Sequence, residues 1–192
     1  MDEDWEWIGR FQKGDASAFG LLFNKYKGLV INLAYRFVRQ TEAAEDIAQD
    51  VFIKIYQKKV KVDPTAKFST WLYRVVVNAA LDVVRKKRFL KFSFDEVKGG
   101  PGDSKQTLAD TLADPAAVSP GKFLAQEELK GLLQREIDAL PEKLKVPILL
   151  YQFQNTPYEE IARILGISEK AVERRIYHAK DNLRKKLSKY VL

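Results

Sequence analysis

The chain is predicted to be all-α: two small helical domains joined by a flexible linker, the C-terminal one carrying a helix-turn-helix. Three observations predict this. Apolar residues recur at spacings of three and four before residue 93, and again from 124 to 187. Between these stretches, residues 93–121 contain Gly99, Gly100, Pro101, Gly102, Pro115 and Pro120 and hold no apolar period. Finally, residues 156–187 read as two short helices about a glycine turn. The predicted organisation is therefore a domain at 1–92, a linker at 93–121 and a domain at 122–192.

In the first domain, Trp5, Ile8 and Phe11 mark a short helix closed by Gly14. Phe19, Leu22, Phe23, Tyr26, Val30, Leu33 and Phe37 then make one long amphipathic stripe. Thr41 is placed to cap a third helix, with Glu42, Glu45 and Asp46 where the helix dipole favours acids. Its core side is Ala44, Ile47, Ala48, Val51, Phe52 and Ile55. Its outer side is Glu42, Glu45, Asp46, Gln49, Ile53 and Tyr56, with Asp50 at the margin. An isoleucine and a tyrosine among acids suit a protein-docking face; a solvated acidic surface with a stray Ile fits the same pattern.

Residues 58–67 break the period and read as a loop. Phe68-Ser69-Thr70-Trp71-Leu72-Tyr73-Arg74 opens a helix that runs to the basic cluster Arg85-Lys86-Lys87-Arg88. The run Val75-Val76-Val77 suits a strand as well, but length and the lack of Gly or Pro favour a helix. On it Trp71, Arg74, Asn78, Asp82 and Arg85 share one face. Unstacked bases need that mixture: a ring to stack on, hydrogen-bond partners and phosphate neutralisation. A core tryptophan beside a solvated basic helix end accounts for it equally.

By sequence length, a coil over 93–121 averages about 30 Å and reaches roughly 95 Å when extended. It can join modules bound more than two duplex turns apart, at about 34 Å per turn. Beyond it, Leu129, Leu132, Leu133, Ile137 and Leu140 are the expected inner side of a helix. Pro141 marks a new start, and Val146, Leu149, Leu150 and Phe153 form the next apolar face. Regular helix is expected to begin near Pro147, because an interior proline costs about 3 kcal/mol.

The last stretch organises the chain. Thr156, Pro157 and Glu159 read as a capping box with proline in the first turn. Ile161, Ala162 and Leu165 share a face, and Gly166 supplies the turn. Ser168 caps the second helix, whose stripe is Val172, Ile176, Ala179, Leu183 and Leu187. Such a unit can lay its second helix in a major groove; an ordinary helical hairpin with a solvated outer face fits the same stripe, though caps, turn and stripe agree on the first. Glu173, Arg174, Tyr177 and His178 have reach to base edges, while Lys170, Arg175 and Lys180 suit phosphates.

Composition narrows the function classes. The net charge is +7 and the pI about 9.4, which points to nucleic acid or an anionic surface. The charge is uneven: +6 over 1–92, −3 over 93–121 and +4 over 122–192. With no cysteine and one histidine, thiolate and histidine-rich metal sites are excluded, and no metal or other cofactor is expected. No phosphate-binding glycine loop, clustered carboxylates with metal spacing or nucleophile–base pair is legible, so no catalytic residue and no enzyme is expected. The N-terminus lacks the pattern of a signal peptide and no run is apolar enough to span a bilayer, so a soluble, intracellular protein is expected.

Three stretches together carry a resemblance. They are Ala44-Glu45-Asp46-Ile47-Ala48-Gln49-Asp50-Val51-Phe52; then Phe68-Ser69-Thr70-Trp71-Leu72-Tyr73-Arg74 with Asn78; and Leu140-Pro141-Glu142 through Tyr158-Glu159-Glu160-Ile161-Ala162-Arg163-Ile164-Leu165-Gly166-Ile167-Ser168. In this order and spacing the chain resembles the extracytoplasmic-function (ECF) sigma factors of the sigma-70 family. The resemblance implies a dissociable, non-catalytic subunit of RNA polymerase. Residues 1–92 would be sigma region 2, gripping core polymerase and melting the −10 element, and 122–192 would be region 4, reading the −35 element as duplex. It implies that Asp46, Gln49, Asp50 and Ile53 dock on the clamp helices of the largest polymerase subunit. The loop before Phe68 would receive a flipped non-template base, with Asp63, Thr65, Lys67, Phe68, Ser69, Trp71, Arg74, Asn78 and Arg85 facing −10 DNA. The −35 set would be Lys170, Glu173, Arg174, Arg175, Tyr177, His178 and Lys180. The acidic linker would lie in the RNA exit path, and an anti-sigma factor would be a further partner.

Two departures stand out: Asp50 where the family often has Glu, and Ala171-Val172-Glu173-Arg174-Arg175 where it often has Thr-Val-Lys-Ser-Arg. A glutamate among bases accepts from cytosine N4 and repels phosphate. The alternative is a conventional helix-turn-helix regulator whose N-terminal helices bind an effector or partner. Such a protein footprints duplex alone, whereas a sigma factor does so mostly with core polymerase.

Overall fold

The structure, a computed structural model, describes residues 3–57, 66–95 and 120–188. Its elements are all helices: α1 (Glu3–Gln12), α2 (Ala16–Val38), α3 (Thr41–Tyr56), α4 (Phe68–Asp95), α5 (Pro120–Asp138), α6 (Glu142–Gln154), α7 (Tyr158–Leu165) and α8 (Glu169–Leu187). No strand occurs among the described residues, so the predicted all-α class holds.

α2 is the spine of the first bundle, with α1, α3 and α4 packed around it. Gly14, at φ +107, ends the approach from α1, and Asp15 caps α2 by accepting from the Ser17 N–H at 3.0 Å. Leu22, Tyr26, Val30, Leu33 and Phe37 are buried along one side, facing the predicted core side of α3. Residues 75–77 are helical, because the helix that carries them buries Leu72, Tyr73, Val76, Val77 and Ala80. Phe68 is wholly buried, ringed by Trp5, Tyr26 and Trp71 at centroid distances of 5.3, 5.4 and 5.5 Å.

In the second bundle α6 is enclosed: Leu144, Val146, Pro147, Ile148, Leu149 and Leu150 are all buried. This corrects the expected start near Pro147, since α6 begins at Glu142. Each large apolar side chain buried contributes about 1.5–3 kcal/mol. Several together outweigh the ~3 kcal/mol of an interior proline. Ser168 caps α8 as expected, accepting from Ala171 N–H at 3.3 Å, and Gly166 ends α7 in the left-handed region at φ +64. Val172, Ile176, Ala179 and Leu183 are buried along α8, while Leu187 is only partly covered.

Other local expectations fail for identifiable reasons. Asn155 closes α6 in the left-handed region, which turns Thr156 inward. Thr156 is then 3% exposed, its hydroxyl has no partner among the described residues, and Pro157 takes the N-cap position with no side-chain cap. Glu159, freed from the capping box, pairs with Arg163. Ile164 rather than Leu165 completes the inner face of α7. Gln40, not Thr41, takes the N-cap of α3, again with no side-chain bond. Among the described side chains of α5 only Ile137 is buried, with Leu140 buried just beyond the helix; Leu132 is partly covered, and Leu129 and Leu133 are exposed.

The two bundles touch through α4 and α7. Arg74 Nε donates to the Ile164 carbonyl at 3.1 Å, and its Nη2 donates to the Arg163 carbonyl. Lys67 pairs with Glu160 at 2.5 Å, Arg85 with Glu142 at 2.8 Å and Arg39 with Asp138 at 3.5 Å. The Arg36 guanidinium lies over the Phe153 ring at 4.0 Å.

Candidate nucleic-acid interfaces and docking groove

The outer face of α3 is exposed at Asp46, Gln49, Asp50 and Ile53. Beside it runs an open apolar groove of about 390 Å³. One wall is a ridge of α2 residues at steps of four: Phe19, Phe23, Lys27 and Ile31. The other wall includes Gln49, Phe52, Ile53 and Tyr56 from α3. The rings interlock, with Phe23 and Phe52 at 4.8 Å and Phe19 and Tyr56 at 5.3 Å. In the sequence Phe19 and Phe23 belong to the long amphipathic stripe of α2, whose members are expected to face inward. Phe23 is instead 38% exposed. The signal was present: Phe19-Phe23-Lys27-Ile31 is a second row, offset from Leu22-Tyr26-Val30-Leu33, and a stripe that wide covers two surfaces.

The second candidate surface is on α4. Arg74, Asn78, Asp82 and Arg85 are exposed, and Trp71 is half-buried, stacked on Phe68 with 27° between planes. Helical spacing brings these residues to one face. Lys67 is exposed and Ser69 half-buried at the N-terminal end. Phe68 has no exposed surface, so it belongs to the core at the start of α4 and does not itself offer a contact. Asp63 and Thr65 lie outside the described residues. The loop's return is pinned from α1: the buried Trp5 indole N–H donates to the Ala66 carbonyl at 2.6 Å. Asp4, buried beside it, accepts from Lys25 Nζ at 2.6 Å and from the Tyr26 hydroxyl. Nothing local in the sequence marks α1 as functional, because a tryptophan whose N–H is satisfied 61 residues away leaves no nearby signature. Hydrogen bonding to Glu142 raises the Arg85 pKa, and burial lowers that of Arg39.

The third surface is α8. Lys170, Glu173, Arg174, Tyr177, His178 and Lys180 are exposed and Arg175 is partly covered, so the predicted set is outward on one helix. Tyr177 is 67% exposed and packs edge-on against His178 at 5.7 Å. Lys180 lies over the Tyr151 ring at 4.8 Å, and Glu173 stands close enough to Tyr158 to help raise its phenol pKa, behind burial and Tyr151.

Among the described residues there is no group of three or more His, Cys, Asp or Glu side chains able to hold a metal ion, and no helix long and apolar enough to cross a membrane. Residues 22–89 match the family model for sigma-70 region 2, and residues 130–183 match that for sigma-70 region 4. The chain is 35% identical to the ECF RNA polymerase sigma factor SigW of Bacillus subtilis, over 94% of each chain. It is 31% identical to the RNA polymerase sigma-H factor of Pseudomonas aeruginosa, covering 97% of this chain and 95% of that one. Identity to the ECF RNA polymerase sigma-E factor of Escherichia coli is also 31%, over 94% and 92%. Among solved structures, CnrH in complex with the cytosolic domain of CnrY superposes with a TM-score of 0.68 at 22% identity, over 98% of this chain and 99% of that one. RpoE of Bartonella quintana, in complex with the anti-sigma factor NepR, gives 0.63 at 18%, over 88% and 96%.

Proposed function

The chain belongs to the ECF sigma factors of the sigma-70 family, and from that membership we propose that it is an alternative sigma factor. It binds core RNA polymerase and directs promoter-specific initiation through −10 and −35 elements. The observation that carries this reading is the pairing of two different surfaces on one chain: an aromatic–cationic helix suited to unstacked bases and a capped recognition helix suited to duplex. A conventional regulator needs only the second.

Within this function, Asp46, Gln49, Asp50 and Ile53 dock on core polymerase, and the groove walled by Phe23 and Tyr56 widens that face. Lys67, Ser69, Trp71, Arg74, Asn78 and Arg85, with Asp63 and Thr65, take the −10 non-template strand. Glu173, Arg174, Tyr177 and His178 read −35 base edges, and Lys170, Arg175 and Lys180 bind its phosphates. The protein does no bond chemistry itself, works in the cytoplasm at the nucleoid, and has an anti-sigma protein as a further partner. The test is transcription of a genomic library by core polymerase with and without this protein, followed by mapping of start sites. New starts sharing a −10 and a −35 motif are expected; an unchanged start profile overturns the reading.

A further inference from the structure

On α8, Lys180 is held differently from the cations that follow it. Lys185 pairs with Asp181 at 2.9 Å and Lys186 with Glu136 at 2.7 Å, so each is fixed in direction but neutralised. Lys180 has no acidic neighbour on its own helix: the positions three and four away are Ile176, Tyr177, Leu183 and Arg184, none a carboxylate. It lies instead over the ring of Tyr151, with Nζ 4.8 Å from the centroid. That ring projects from the C-terminal part of α6 and is partly covered. Tyr158, at the start of α7, packs against it at a centroid distance of 5.2 Å with 55° between planes. Burial first, then Tyr151 and Glu173, raise the Tyr158 phenol pKa, so this second ring stays a neutral buttress. Aromatic side chains from α6 and α7 thus hold a cation of α8 whose charge remains whole.

We propose that Tyr151 is a positioning residue for −35 binding: its ring holds the Lys180 ammonium at the flank of the recognition helix, so that it meets a −35 phosphate already ordered. The proposal rests on the −35 assignment of α8. A ring face attracts a cation through its quadrupole without neutralising it. An ammonium carries three donors, so contact with one ring face leaves others for phosphate oxygens. A free lysine gives up many rotamers when it binds, and that loss subtracts from affinity. Lying on the ring, Lys180 has given up most of them beforehand. A carboxylate would order the side chain equally well, but it would cancel the charge on which phosphate neutralisation and counterion release depend. Lys180 stands just beyond His178, at the end of the stretch assigned to base edges. A fixed cation there sets the register of α8 against the duplex backbone without choosing among bases.

The test compares rings at position 151 in holoenzyme, on a short duplex that carries the mapped −35 element and ends upstream of −10. Tyr151→Phe keeps the ring and is expected to bind like the parent. Pentafluorophenylalanine at the same position has nearly the shape of phenylalanine but an electron-poor face that a cation avoids. It is expected to weaken binding about 2- to 10-fold relative to Tyr151→Phe, the range for one long side chain left to be ordered on binding. In the Lys180→Ala background the two rings should bind alike. Equal binding by the two rings with Lys180 present overturns the proposal. So does a difference that persists with Lys180 absent, because the ring then acts through the fold or touches DNA itself. A folding defect in the fluorinated chain would survive Lys180→Ala, so this second comparison also excludes it. Failure of the −35 assignment shows separately. Lys180→Ala alone should weaken all −35 variants together and lower the salt slope by roughly one; a variant with the affinity and slope of the parent would remove Lys180 from the interface.

Discussion

Single side chains make the sharpest tests. Trp5→Phe keeps a ring against Phe68 but deletes the N–H that holds the Ala66 carbonyl. One such bond is worth about 0.5–1.5 kcal/mol, and a fall in Tm of the purified chain is expected. The loop it tethers should capture the −10 base more slowly, read as a lower open-complex rate with unchanged co-purification with core. Thr156→Val tests the corrected cap. Its hydroxyl is buried and has no partner among the described residues. Removing it should leave stability unchanged or raise it by about 1 kcal/mol, whereas a true N-cap threonine would cost about that much on loss; urea denaturation separates the two signs. Asp15 is held down to about 2 by bonds from Ser17 and Arg10. Its folded pKa lies below the unfolded one, so its contribution is present above the ordinary carboxylate range and fades as pH falls towards 2. Asp15→Asn should flatten the acid limb of the helix signal in circular dichroism. Glu173→Lys should change which −35 sequence is selected by holoenzyme; identical selected motifs would make Glu173 a solvated surface residue.

At the scale of elements, Gln49→Ala combined with Asp50→Ala is expected to weaken association with core polymerase in a folded protein, because both side chains are exposed and carry no core packing. Co-purification checks this, and adding Phe23→Ala should deepen the loss if the groove belongs to the same face. Legibility follows how local each determinant is. The core of α3, the cap and turn at Ser168 and Gly166, and the stripe of α8 were readable because period and capping act within a few residues. The start of α6 was not, since the propensity of Pro147 is local and the burial that overrides it is tertiary. Thr156 misled for the same reason: its sequence context is that of a cap, but Asn155 decides which way it points. The aromatic groove was half legible, as a stripe too wide for one face. The tether of Trp5 to Ala66 spans the whole first bundle and leaves no pattern in sequence.

Across the whole molecule, charge is divided by segment. The two modules are basic and the stretch between them acidic, yet in the ion pairs that join Arg39, Lys67 and Arg85 to Asp138, Glu160 and Glu142 the cations come from the first module. Reversing one member of a pair should therefore open the molecule, and reversing both should close it again. Arg85→Glu alone is expected to enlarge the radius of gyration in small-angle scattering at low salt, and Arg85→Glu with Glu142→Arg to restore it. No recovery in the double variant would show that the pair is a bystander to the docking.

The cluster around Phe68 has an optical consequence. The three tryptophans of the chain are Trp5, Trp7 and Trp71, all in the first bundle. Trp5 and Trp71 flank the buried Phe68 ring at the N-terminal end of α4. The second bundle has none, so selective indole excitation sees only one half of the protein. The proposed stacking of a −10 base on Trp71 should quench that indole by contact. A fall in emission intensity on adding a −10 single strand to the unlabelled chain, absent in Trp71→Phe, is therefore the expected signal of capture, read in real time.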